Sequence, residues 1–185
     1  MPFRPRILIL PIAAAIIGGL VTFKLNQPLQ RQETILLSEV RQAPTFKALD
    51  MDNKLFKLDR YIGRHEILII FFDGELGADR DPLLQRVRER FTELKRRGMQ
   101  VVAISTALPQ HHRQAIARGG QFPFPLLSDP EFLIHRQWGR YDEDEQRPRT
   151  GVFVIDRAGR VAWSGRSPRP EASLNTIFSV PQENP

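Results

Sequence analysis

The sequence predicts an α/β domain, a mixed central sheet with helices on both faces, preceded by one N-terminal transmembrane helix. Three observations carry this reading. Continuous apolar runs recur at residues 67–72, 101–105 and 152–155, as strands buried on both faces require. Between the first two, Leu83, Leu84, Val87, Phe91 and Leu94 repeat at helical spacing. Near the start of the chain, residues 7–23 carry no charged side chain.

That charge-free stretch is 17 residues and rises about 25 Å as a helix. A hydrocarbon core is roughly 30 Å thick, and snorkelling by Arg6 and Lys24 covers the shortfall. Ile7, Leu10, Ile12, Ile16, Leu20 and Phe23 supply its apolar surface, so residues 1–26 are expected to be a membrane anchor. A buried soluble helix is one competing reading, though the run is apolar all round and flanked by cations, and a cleaved signal peptide is the other. It needs small residues after the apolar stretch, whereas Ala13-Ala14-Ala15 comes too early. Arg4 and Arg6 before the span weakly place the N-terminus in the cytoplasm and the domain on the periplasmic, lumenal or external side. Residues 27–42 read as a polar stalk, residues 43–180 as the folded domain and residues 181–185 as a tail.

Within the domain, residues 43–49 and Leu55-Phe56-Lys57-Leu58 read as a hairpin around the turn signal Asp52-Asn53. After the first buried strand comes a helix capped by Asp81, with Pro82 at its first position and Gly98 at its stop. Residues 101–105 form the second strand. A short helix after Pro109 ends at Gly119-Gly120, and residues 122–127 are a proline-rich extended stretch. Asp129-Pro130 opens a helix reaching Trp138, and residues 142–145 form an acidic loop. Residues 152–155 are the third strand, paired through the turn at residues 157–160 with Val161-Ala162-Trp163. Residues 171–178 form a last helix. Trp138 and Trp163 read as packing residues.

Composition narrows the function. Hydrophobic residues are 41% of the 185 and charged residues 26%, ordinary for one soluble domain. The net charge is +6, but Arg4, Arg6 and Lys24 hold half of it in a stretch without acids. No phosphate-tracking groove, and no nucleic-acid partner, is expected. The chain has no cysteine, which excludes disulfides, thiolate metal sites and thiol nucleophiles together.

Several phrases, in order, resemble the peroxiredoxin or AhpC/TSA family of the thioredoxin fold. They are Ala43-Pro44-Thr45-Phe46, Ile69-Ile70-Phe71-Phe72, Val101-Val102-Ala103-Ile104-Ser105, Phe124-Pro125-Leu126-Leu127-Ser128-Asp129-Pro130 and Val152-Phe153-Val154-Ile155-Asp156. The resemblance implies that fold, with a Pro-x-x-x-Thr-x-x-Cys loop after the first buried strand and an arginine from a later strand. Counting on from Phe72 puts Asp73 at the proline position, Gly77 at the threonine position and Arg80 at the cysteine position. Arg149 lies near the family's arginine, with the register falling one residue later on Thr150. Thiol peroxidase chemistry passes through a sulfenic acid, which arginine cannot form. The resemblance therefore implies a degenerate loop of Asp73, Gly77, Asp79, Arg80 and Arg149, and no catalytic residue. A salt-bridged loop is expected, with Asp73, Glu75, Asp79 or Asp81 answering Arg80.

Other chemistries find little support. The spacing of those four carboxylates matches no calcium loop. His111-His112 point to different helical faces, His65 and His135 stand alone, and no zinc motif exists. No phosphate loop or nucleophile elbow occurs, so no metal and no cofactor are expected. Ser105, Thr106 and Ser128 are isolated hydroxyls. Arg86, Arg90, Arg96 and Arg97 offer a basic contact face on the capped helix, either simply solvated or facing anionic lipid or an acidic partner. These readings converge on a membrane-tethered, non-catalytic module serving as an accessory or assembly subunit of a membrane protein complex. The alternatives are a redox enzyme borrowing a partner's thiol, and a small-ligand-binding module.

Overall fold

A computed structural model describes residues 41–165. The expected anchor, nearly all of the stalk, the helix at residues 171–178 and the tail lie outside the described residues. Among the described residues no helix is long and apolar enough to cross a membrane.

The three apolar runs become the strands at the centre of a seven-stranded mixed sheet. In chain order the strands are β1 (Lys47–Asp50), β2 (Leu55–Lys57), β3 (Glu66–Phe71), β4 (Met99–Ser105), β5 (Leu126–Ser128), β8 (Gly151–Ile155) and β9 (Val161–Gly165). Their spatial order is β2-β1-β5-β4-β3-β8-β9. Parallel pairing joins β3 to β4, with Leu68 opposite Val101 and Ile70 opposite Ala103, and β4 to β5. The other neighbours are antiparallel, including β3 with β8, where Ile69 faces Phe153. Helical crossovers link the parallel pairs and tight turns the hairpins β1–β2 and β8–β9, whereas β1–β5 and β3–β8 are antiparallel pairs of strands distant in sequence.

Strand alternation sends side chains to two cores. Leu68, Ile70, Val101, Ala103 and Val152 pack on one face with Leu83, Leu84, Val87, Leu94 and Ala115 from the helices above. Ile67, Ile69, Phe71, Val102, Ile104 and Ile155 pack on the other with Phe46, Leu58, Ile134 and Trp138. Each large side chain so buried stabilises by about 1.5–3 kcal/mol.

The helices on the first face are α1 (Pro82–Glu89), α2 (Phe91–Arg96) and α3 (Pro109–Gly119). As expected, Asp81 caps α1 by accepting from the Leu84 amide at 2.9 Å, and Gly98 adopts φ +71° at the stop. The single helix expected there is instead two. Arg90 leaves helical conformation at φ −98°, ψ 10° while its guanidinium ties forward to Glu93 at 2.7 Å.

The helix expected from Pro130 starts later, as α4 (Leu133–Gln137). Asp129 gives the reason. Its carboxylate accepts from the His135 amide at 2.8 Å and meets His135 Nδ1 at 2.7 Å, and Phe132 turns left-handed at φ 58° to permit this. His135 is therefore not alone; it is buried against Asp129. The acidic loop at 142–145 forms the tip of a small hairpin, β6 (Tyr141–Asp142) and β7 (Arg147–Pro148), absent from the sequence expectation. The sheet reaches back to residues 42 and 43, because Gln42 bridges Arg160 and the Ala43 amide donates to Gly159 O at 2.8 Å.

Candidate functional site

The loop after β3 leaves the sheet at Phe72 and returns as α1, so residues 73–81 are held at the strand's carboxyl end. Ligand sites of α/β sheets gather there. Asp73 Oδ1 accepts from the Glu75 and Leu76 amides at 2.9 and 3.3 Å, closing an Asx turn. Gly77 sits at φ +86°, a conformation that favours glycine, and its carbonyl accepts from the Arg80 and Asp81 amides at 3.1 Å each. Gln85 Nε2 donates to the Ala78 and Asp79 carbonyls at 3.0 and 3.2 Å.

The expected answer to Arg80 does not form. Asp79 instead makes a two-pronged ion pair with Arg118 of α3, Nε to Oδ2 and Nη2 to Oδ1, both at 2.9 Å. That hydrogen bond holds the Asp79 carboxyl below its ordinary range and raises the Arg118 guanidinium. Asp73 and Asp81 are engaged with backbone amides, so one salt bridge, not a network, closes the loop. Arg80, counted to the family's cysteine position, is exposed and lines the cleft beside the loop. Arg149 does not line that space. Its guanidinium is bound to Asp142 of β6, with Nε 2.9 Å from Oδ2 and Nη2 closer still.

A cleft of about 380 Å³ opens beside the loop. Glu75, Arg80, Thr106, His111, His112 and Arg118 contribute its polar lining. His112 is 2% exposed, with Nε2 3.3 Å from Leu127 O and 3.5 Å from Ser105 Oγ. Burial pushes its pKa down to about 4, so it is neutral at physiological pH. As expected of adjacent residues on a helix, His111 is exposed while His112 is buried. Ser105 and His112 lie near one another without a carboxylate on the imidazole, and Ser105 is fully buried, so the pair is packed rather than poised for attack. Among the described residues no group of three or more histidines and carboxylates is arranged for a metal.

Sequence reasoning missed Arg118, which lies 39 residues from its partner and carries no local signal. It also missed the buried Arg140, whose guanidinium lies 5.5 Å from the Phe153 ring centroid. The basic face is less uniform than expected. Arg90 and Arg97 both pair with Glu93, and Arg88, half-buried, donates to Gly119 O at 2.7 Å.

A thioredoxin-like sheet whose first buried strand feeds a turn and a capped helix is the architecture of the thiol peroxidases. The chain belongs to the AhpC/TSA family, whose model matches residues 40–164. It is 29% identical over 124 residues to alkyl hydroperoxide reductase E of Mycobacterium tuberculosis, covering 66% of this chain and 80% of that one. A chloroplastic peroxiredoxin Q of Populus jackii is 29% identical over 119 residues, 64% of this chain and 55% of that one. Among solved structures, a peroxidoxin of Mycobacterium tuberculosis superposes with a TM-score of 0.63 at 17% identity, over 76% of this chain and 96% of the other. The mitochondrial 2-Cys peroxiredoxin of Plasmodium falciparum gives 0.62 at 20% identity, over 76% and 92%. The fold is shared with these proteins; cysteine is absent from this chain.

Proposed function

We propose that the protein is a membrane-anchored, non-catalytic peroxiredoxin-like module, an accessory or assembly subunit of a membrane protein complex. The observation that carries this is a family domain without cysteine, in which the count from Phe72 puts the exposed Arg80 at the family's cysteine position. The charge-free run at residues 7–23 supports the anchor, which raises the concentration of the domain beside membrane partners. Purification from native membranes in mild detergent tests the role. A stoichiometric partner is expected, and a chain recovered alone would count against it. A peroxide-consumption assay with and without thiol donors tests the chemistry. Turnover above a heat-killed control would favour a redox enzyme working with a partner's thiol.

The cleft favours a second reading, a small-ligand module. Its wall combines Arg80 with a neutral imidazole and a threonine hydroxyl. Thermal-shift screening with small carboxylates tests this, and a stabilisation abolished by Arg80→Ala would support it.

A further inference from the structure

The charge of the domain is layered. Residues 82–120, which supply all three helices on one face of the sheet, carry eight lysines and arginines against two glutamates. The other described residues carry thirteen against fifteen carboxylates. The described residues thus sum to +4, with +6 in this segment and −2 in the rest, and Asp79 and Asp81 of the preceding loop border the layer. Glu93 is bridged by Arg90 and Arg97, and Arg118 by Asp79, while Lys95, Arg96 and Arg113 are exposed across α2 and α3, Arg113 also donating to Met51 O at 2.7 Å.

We propose that this helical layer seats on the anionic headgroups of the bilayer that holds the N-terminal segment, an inference that rests on the anchored reading above. Two features select lipid over an acidic protein. The large exposed apolar residues are Leu49, Leu55, Leu76, Leu108 and Leu133, none of them within α1, α2 or α3. Protein interfaces carry an apolar or aromatic core, which this layer lacks. The cations are also spread over separate helices of one layer, suiting a field that is uniform in the membrane plane. Seated in this way, the layer would leave the opposite side of the sheet, with α4, directed away from the membrane.

The absence of cysteine makes the test direct, because any introduced thiol is unique. Thr92→Cys labels the exposed side of α2, and Gln137→Cys labels α4 on the opposite side of the sheet. The full chain is reconstituted in nanodiscs of phosphatidylcholine alone, or with roughly one-third phosphatidylserine, and a water-soluble maleimide reads each thiol. Thr92→Cys should react several-fold more slowly in the anionic discs, and Gln137→Cys equally in both. About 0.5 M salt, or the added pair Lys95→Gln and Arg96→Gln, should remove the protection, at about fivefold in membrane partition for each cation lost. Equal rates for Thr92→Cys in both discs overturn the proposal. So does protection found only in native membranes, where a protein crosslinks to that thiol. Carbonate extraction tests the anchor separately. If it releases the chain, the anchored reading fails, and flotation of the released chain with the same two lipid mixtures still decides whether the layer binds anionic lipid.

Discussion

His112 shows what burial does to one titrating group. Its folded pKa of about 4 lies below the ordinary 6.5, so protonation favours the unfolded chain. The stability this neutral imidazole contributes is complete above pH 6.5 and falls between 6.5 and 4, by up to about 3 kcal/mol. Urea unfolding followed from pH 7 to 4 should show that slope, and His112→Gln should flatten it. Asp81 acts with the opposite sign, since burial raises its carboxyl and acid therefore favours the folded form. Asp79 is held low by Arg118, so their ion pair persists at neutral pH and is lost as pH falls through the depressed value. With Arg118 exposed to water, Arg118→Ala should leave the unfolding midpoint almost unchanged and speed amide exchange at residues 77–80.

At the scale of elements, α1 depends on its cap. Asp81→Ala should cost about 1 kcal/mol by denaturant unfolding. Gly119 depends on space. A Cβ there would lie 2.6 Å from Asp79 Cβ, so Gly119→Ala must push the loop away from α3, at a cost of about 1–3 kcal/mol. A crystal structure of that variant with the loop unmoved would contradict the packing described.

The elements the sequence made legible are those with local causes. The runs at β3, β4 and β8 announce burial on both faces, Asp81-Pro82 announces a helix start, and Gly98 announces a stop. What stayed hidden depends on distant or competing contacts. The break at Arg90 follows no propensity signal. The late start of α4 comes from Asp129 choosing His135. In the site, the position of the loop after β3 could be read from the apolar run ending at Phe72. That Asp79 would choose Arg118, and that Asp142 would take Arg149, required the folded chain.

For the molecule as a whole, β3 and β4 serve both cores, since alternate residues of each strand face opposite sides. The two faces should therefore unfold together. Leu68→Ala on one face and Ile69→Ala on the other should each lower the same single transition, by about 2–5 kcal/mol. Two separable transitions in either variant would show that the faces are independent.

Trp138 has a spectroscopic consequence. Its indole is 6% exposed among the rings of Phe46, Phe71 and Phe153, and its Nε1 finds no acceptor among the described residues. A buried indole of this kind emits at short wavelengths, whereas the half-buried Trp163 lies near the sheet edge and emits further to the red. The fluorescence of the native protein is thus a sum of two colours, and loss of the blue one reports water entering the α4 side of the sheet.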